Sequence, residues 1–446
     1  MTYTAEMVKY IRYSRLDRIP KDVRHEAKRA IVNIVGCALG GAEHPAMVMT
    51  IAALGPYAGA ATSSVLGRRE RFDPLFVSLL NGISSHVHDY DDTLPKNYIH
   101  ASSPVASALF AYASANKVTG AEFLHAFILG FELVSRIGNA TYPAHYDAGW
   151  HSTGSIGVFG AAAGVGKLLQ LDAEKMTYAI GLAATQAAGI REMFGSMGKA
   201  LHPGRSAQSG YMAALLARQG FTSGRFPLEG PRGFAAVTAT SYDLKKLTDG
   251  LGEKFELSVN AYKPFPCGIV VHPTIDACIQ LRAKHNLTAD QIEAVELRVA
   301  PLVLDLCNKK AISTGLEVKF SIYHATAIGL GRGKAGLAEF TDATVNEPAL
   351  KALREATTAI ADASVKEDAV NVSVRLKDGR TLGMKLEQSL GNLARPLSDA
   401  HLEAKFRDQA TVLSPAQMDQ AIAACWGIEE MADVSTLIGH CVPKGR

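Results

Sequence analysis

The sequence predicts a mainly α protein, with a large all-helical domain and a smaller α+β domain inserted toward the C-terminus. Three observations carry this. Apolar residues recur at helical spacing through residues 21–219, in stretches rich in Ala and Gly whose small side chains let helices approach closely. Alternating, Val-rich runs begin only after Pro264 and Pro266. Helical texture returns after residue 400.

The first helix, residues 21–38, follows Pro20 and stops at Gly40 and Gly41. Residues 103–116 form an Ala-rich apolar helix. Thr119 and Glu122 form a capping box that opens the next one. Residues 155–169 and 173–190 add two helices of small residues, and 206–219 adds a third, ended by Gly220. Pro264 and Pro266 then break any helix. The expected division is therefore 1–265 with 405–446 as the helical domain, and 266–404 as the α+β domain. Inside the latter, 272–286 reads as a helix and 292–300 as a strand. Residues 370–388 read as a hairpin around Asp378-Gly379, a strong short-range turn signal, and an Ala-, Lys- and Glu-rich helix lies between. Residues 401–409 and 414–431 read as helices, the second capped by Ser414.

At 446 residues, two or three domains of roughly 150 residues are expected. The net charge of +3 and pI near 8.4 fall short of the basic balance, pI above ~9, that marks nucleic-acid binders. No run of 18 apolar residues exists to span a membrane. The N-terminal residues lack the apolar stretch of a signal peptide. Six cysteines, with no CxxC pair, read as free thiols of a cytoplasmic protein. HExxH, GxSxG and P-loop motifs are absent. Gly331, Gly333 and Gly336 spell GxGxxG, but they follow a helical stretch rather than a strand, so no NAD site is expected. His86 and His88 stand two apart, which on a helix does not face one site, and no metal is expected.

Four clusters carry chemistry. In the first, Asp89, Asp91 and Asp92 lie within four residues beside His86 and His88, with Thr93 and His100 following. Such carboxylates repel unless cations or hydrogen bonds offset them. They read either as an acidic loop or as groups that orient and deprotonate catalytic residues. The second runs from His145 to Gly154; His151 stands before a helix N-terminus whose free N–H groups suit a carboxylate, and Tyr146 lies nearby. The third gathers Arg191, Lys199, His202 and Arg205 among glycines, read as a flexible cationic loop for a small di- or tricarboxylate. The fourth holds Lys263 and Cys267 at the domain boundary, a favoured place for sites.

Together, HDYDDT, GWHSTG, GKALHPGRSAQSG, YKPFPCG and FSIYHATA resemble the MmgE/PrpD family along essentially the whole chain. Activities of that family include 2-methylcitrate dehydratase, cis-aconitate decarboxylase and iminodisuccinate epimerase. The resemblance implies a helical domain carrying a smaller α+β domain, a homodimer and no cofactor. By position it implies active-site roles for Asp89, Thr93, His100, His151, Lys199, Lys263 and Tyr323. Decarboxylase-like members carry a His directly after FPA or FPC, where this chain has Gly268. That departure weighs against cis-aconitate decarboxylation, and the likeness is nearest to iminodisuccinate epimerase.

A cationic pocket with proton-transfer groups suits proton abstraction beside a carboxylate, with the enediolate held by cations or N–H groups. The expected function is therefore a cofactor-independent epimerase of a small polycarboxylate. A dehydratase, a decarboxylase and a non-catalytic polycarboxylate-binding protein are the alternatives. The expected catalytic residues are Lys199, His151, Tyr146, Asp89 and Tyr323. Thr93, His100, Arg191, His202 and Lys263 are expected to bind substrate.

Overall fold

Every residue from Ser152 to Gly166 is buried in the helix Ser152–Leu168, around which the larger domain is built. A helix buried on all sides needs small residues where its neighbours cross. In this computed structural model, which describes residues 2–444, it packs against Met197–Arg218, Gly120–Thr141 and Ser102–Ala115. A Cβ on Gly160 would stand 2.6 Å from the Gly130 carbonyl oxygen, so these two backbones touch. The helix Pro74–His86 crosses Met197–Arg218 at Gly82, where a Cβ would meet the Gly204 Cα at 2.4 Å. Lys21–Gly41 packs on Pro74–His86 and also receives Asp399–Gln409 from the end of the chain.

The third cationic cluster is not a loop, in contrast to the sequence expectation. Helix Met197–Arg218 starts well before residue 206, with Pro203 inside it. Ser196 accepts from the Gly198 N–H and starts the helix, while Gly204 gives the close approach to Gly82 rather than flexibility. Lys199, His202 and Arg205 therefore ride on a rigid helix. The helix expected over 173–190 ends at Ala184.

Four strands form one sheet, in the order Thr357–Ala361, Ile292–Val299, Val370–Leu376, Thr381–Leu386. The first pair is parallel and the others antiparallel. Gly379, at φ +88°, makes the hairpin turn. Thr357–Ala361 has no counterpart in the sequence reading. Five residues alternate too briefly to signal, and parallel pairing with a strand some sixty residues earlier decides them. His272–His285 packs on the hairpin strands and Ile322–Arg332 on Thr357–Ala361. The GxGxxG stretch closes Ile322–Arg332, with Gly333 left-handed at its C-cap.

Among the described residues, buried apolar side chains form two clusters. One joins residues between Met7 and Tyr262 with Leu397 through Cys441, and the other spans Cys267 to Leu376. The Pro264–Pro266 segment between them is irregular.

Candidate active site

The Pro74–His86 helix ends in the acidic turn. Asp89 there adopts φ +53°, a left-handed conformation that Asp tolerates better than most residues. Backbone bonds between Thr93 and Ala261 bring the Tyr262-Lys263 segment alongside. Lys263 Nζ donates to Asp89 Oδ1 at 2.7 Å and to the carbonyls of Asp89 and Cys267, both at 3.1 Å. From helix Met197–Arg218, Lys199 Nζ donates to the same Oδ1 at 2.7 Å. Its ammonium also faces the rings of Phe194 and Phe320, at 5.3 and 5.4 Å. Burial would raise the Asp89 pKa, but the two ammonium groups outweigh it and hold the carboxyl well below its usual range. Burial, helped by Lys263, pulls the Lys199 ammonium below the usual lysine range, against the pull of Asp89.

The other two carboxylates have partners of their own, which resolves the repulsion that their spacing implies. Asp91 is gripped by His86 Nδ1 at 2.9 Å and lies 3.3 Å from His100 Nδ1. His100 Nδ1 also meets Thr93 Oγ1 at 3.1 Å, and its Nε2 stands 3.7 Å from Asp89. Asp92 accepts from Ser102 and Asn260, each at 2.6 Å, and burial pushes its pKa up to about 6. Behind them Lys405, from the returning helix Asp399–Gln409, donates to Asn33 Oδ1 and to the carbonyls of Tyr90 and Lys263.

His151 is the N-cap residue of Ser152–Leu168, but its side chain caps nothing. Instead its Nδ1 meets His202 Nδ1 at 2.8 Å, and its ring lies against His86 and Phe194. Burial, with Lys199 nearby, holds His151 well below the usual histidine pKa, so the ring is neutral.

Some of these groups line a cavity of about 440 Å³, open space at its mouth included. Asp89, Thr93, His100, Tyr146, His151, Lys199 and Lys263 line it on the helical side. Gly268, Ile269, Val270, Leu306, Cys307 and Phe320 form the opposing wall from the second domain. Tyr98, Ile269 and Val270 also line an outer groove, so Tyr98 stands between the two spaces.

Three expected site residues do not line the cavity. Arg191 lies behind Tyr146, stacked 4.2 Å from its ring and paired with Asp305 at 2.8 Å. His202 stands behind His151. The Tyr323 hydroxyl donates to Asn308 at 2.7 Å and points to no lining group. The first turn of Ser152–Leu168 is likewise absent from the lining. The sequence reading overlooked Tyr98 and Cys307, which lie outside every motif, and it did not single out Phe194 within the third cluster or Phe320 at the head of FSIYHATA. It also overlooked Lys405, whose role arises from the return of the chain. Tyr98 has φ +58°, and its hydroxyl reaches Glu367 of the second domain.

His86, Asp89, Asp91 and His100 bring ligand atoms within 4.8 Å of one another, a grouping that the i, i+2 spacing of His86 and His88 did not disclose. A cation there would compete with two ammonium groups already on Asp89 and with two imidazoles already on Asp91. Both carboxylates of the set are thus paired within the protein, whereas the buried His86 Nε2 has no hydrogen-bond partner among the described residues.

Residues 5–247 match the MmgE/PrpD N-terminal domain, and residues 265–428 match the MmgE/PrpD C-terminal domain. The chain belongs to the MmgE/PrpD family. The cis-aconitate decarboxylase-like protein oryM of Aspergillus oryzae is 25% identical over 98% of this chain and 96% of its own length. The cis-aconitate decarboxylase of Aspergillus terreus is 24% identical over 98% and 95%. That of Mus musculus is 27% identical over 85% and 81%. Within this MmgE/PrpD chain, position 268 is glycine with little room for more: a Cβ there would meet Cys307 Sγ at 3.0 Å.

Proposed function

We propose that this chain is a cofactor-independent epimerase of a small polycarboxylate such as iminodisuccinate. One observation carries the reading: Lys199 and Lys263 converge on Asp89 in a cavity that also holds neutral His151, His100 and Tyr146. Cations to seat carboxylates thus adjoin groups that move protons. A carboxylate α-proton is weakly acidic, and its removal needs the enediolate charge to be met by fixed donors in a water-poor site. Lys199, whose ammonium is rigidly held, supplies such a donor. His151, neutral at pH 7, is the base, and Tyr146 is the group that returns the proton.

The names of the relatives favour a second reading, decarboxylation of a substrate like cis-aconitate. Gly268, packed on Cys307, leaves this chain without the histidine that decarboxylase-like members carry there. Dehydration of a 2-methylcitrate-like tricarboxylate uses the same first step and differs only in a β leaving group.

Proton NMR of the purified protein in D₂O with iminodisuccinate, 2-methylcitrate and cis-aconitate separates these readings. Epimerisation exchanges the α-proton of iminodisuccinate and inverts that carbon. Loss of CO₂ from cis-aconitate, or a new alkene from 2-methylcitrate, would replace the epimerase reading. No reaction and no exchange with any of the three would leave a polycarboxylate-binding protein.

A further inference from the structure

We propose that His202 is a positioning and relay residue that carries protons between His151 and solvent; the chemical part of this inference rests on the proton-abstraction reading above. The two rings meet Nδ1 to Nδ1 at 2.8 Å. Two neutral imidazoles reach that distance only when one Nδ1 carries a proton and the other offers a lone pair. The tautomer of His202 therefore sets that of His151. With His151 Nδ1–H donating, His151 Nε2 is a bare base toward the cavity. With the roles reversed, His151 Nε2–H is an acid.

The two sides of the pair differ in access. His151 is 2% exposed and lines the cavity. His202 is half-buried and lies outside the lining. Its Nε2 has no protein partner among the described residues, and it is not among the polar atoms sealed from solvent without one. Two glycines hold the ring in place. A Cβ on Gly154 would stand 2.9 Å from the His202 Cβ, and one on Gly189, which adopts φ +122°, would stand 3.2 Å from its Cγ. His202 lies three residues after Lys199 on the same rigid helix, so both sit on one face.

The transfer balances. His151 Nε2 takes the α-proton, and the C–H electron pair passes into the enediolate. The His151 Nδ1–H proton moves to the His202 Nδ1 lone pair, and the His202 Nε2–H proton leaves to water. Run backwards on the same face, the sequence returns a solvent proton through His151 and gives exchange without inversion; in the inverting turnover Tyr146 delivers the proton and the relay resets His151.

Two measurements test this. ¹⁵N NMR of histidine-labelled protein without substrate should show one of these two rings protonated at Nδ1 and the other bare, and His202→Gln should change the His151 shifts. Both rings bare at Nδ1, or His151 shifts that His202→Gln leaves alone, would overturn the pairing whether or not any substrate turns over. With whichever of iminodisuccinate, 2-methylcitrate or cis-aconitate exchanges in D₂O, His202→Gln should lower deuterium uptake at least ~10-fold with KM unchanged, and 50 mM imidazole should restore uptake in His202→Ala. Unchanged uptake in a folded His202→Gln would remove the relay. If the wild-type protein exchanges no proton at all, the proposed activity fails and the NMR shifts alone decide the pairing.

Discussion

Lys199 and Lys263 meet on a single atom, Asp89 Oδ1, each at 2.7 Å, although one comes from a helix of the larger domain and the other from the segment joining the domains. The carboxylate fixes both ammonium groups at the cavity wall. Asp89→Asn removes the charge and leaves two buried cations facing each other. Because Asn also tolerates the left-handed backbone at φ +53°, the loss is electrostatic. Unfolding in urea should show a loss of about 3–5 kcal/mol, the range for breaking a buried pair. A stability equal to wild type would mean that Asp89 does not hold the lysines together.

Lys199 separates clamp from base. Lys199→Ala should lower the rate at least ~100-fold, the low end for proton-transfer groups. A loop position would leave stability unchanged, but Lys199 is buried on a helix. Since Asp89 retains Lys263, the stability loss should stay below that of Asp89→Asn. Lys199→Arg keeps the charge and cannot act as a base. Steady-state rates for the two variants check the assignment: turnover kept in Arg and lost in Ala means a carboxylate clamp. Full activity in both would remove Lys199 from the site.

Gly268 and Cys307 set the shape of the facing wall. Gly268→His forces Cys307 to shift and should cost about 1–3 kcal/mol, as overpacking does. Adding Cys307→Ala should return part of that stability. Thermal unfolding of the single and double variants reads the coupling directly, and simple additivity would show that the two side chains do not compete.

Asp92 gives a pH signature. Its pKa is about 6 in the folded protein, raised by burial, against roughly 3.9 when unfolded. The folded state thus prefers the protonated acid. The contribution is present below about pH 4, is lost as pH rises toward 6, and stays lost above, by up to about 3 kcal/mol. Asp92→Asn does not titrate. Its stability relative to wild type should therefore rise between pH 4.5 and pH 7.5, measured by urea unfolding at each. A relative stability independent of pH would place the Asp92 pKa near its unfolded value.

Much of the fold was legible because it rests on local signals. The Thr119–Glu122 capping box opens Gly120–Thr141 as its spacing requires, and Asp378-Gly379 turns the hairpin. The alternation in 292–300 reports a strand with one face covered. The segment 197–205 is helix where a loop is expected, because Pro and Gly normally break helices. Here Gly204 answers a close crossing at Gly82, a demand set by another part of the chain.

By itself the sequence determined the helical and α+β textures, the change at Pro264–Pro266, and the polar clusters that gather Asp89, His100, His151, Lys199 and Lys263. Those are consequences of periodicity, backbone chemistry and residue type, which act over a few residues. Tertiary structure alone decided that Lys199 and Lys263 share one carboxylate oxygen, that Lys405 buttresses them from the returning helix, and that His202 stands behind His151. It also placed Arg191 and Tyr323 outside the cavity, each tied to a partner of its own. Contacts between residues scores or hundreds of positions apart depend on how helices cross and domains face each other. No local pattern encodes those distances, because packing of the whole chain sets them.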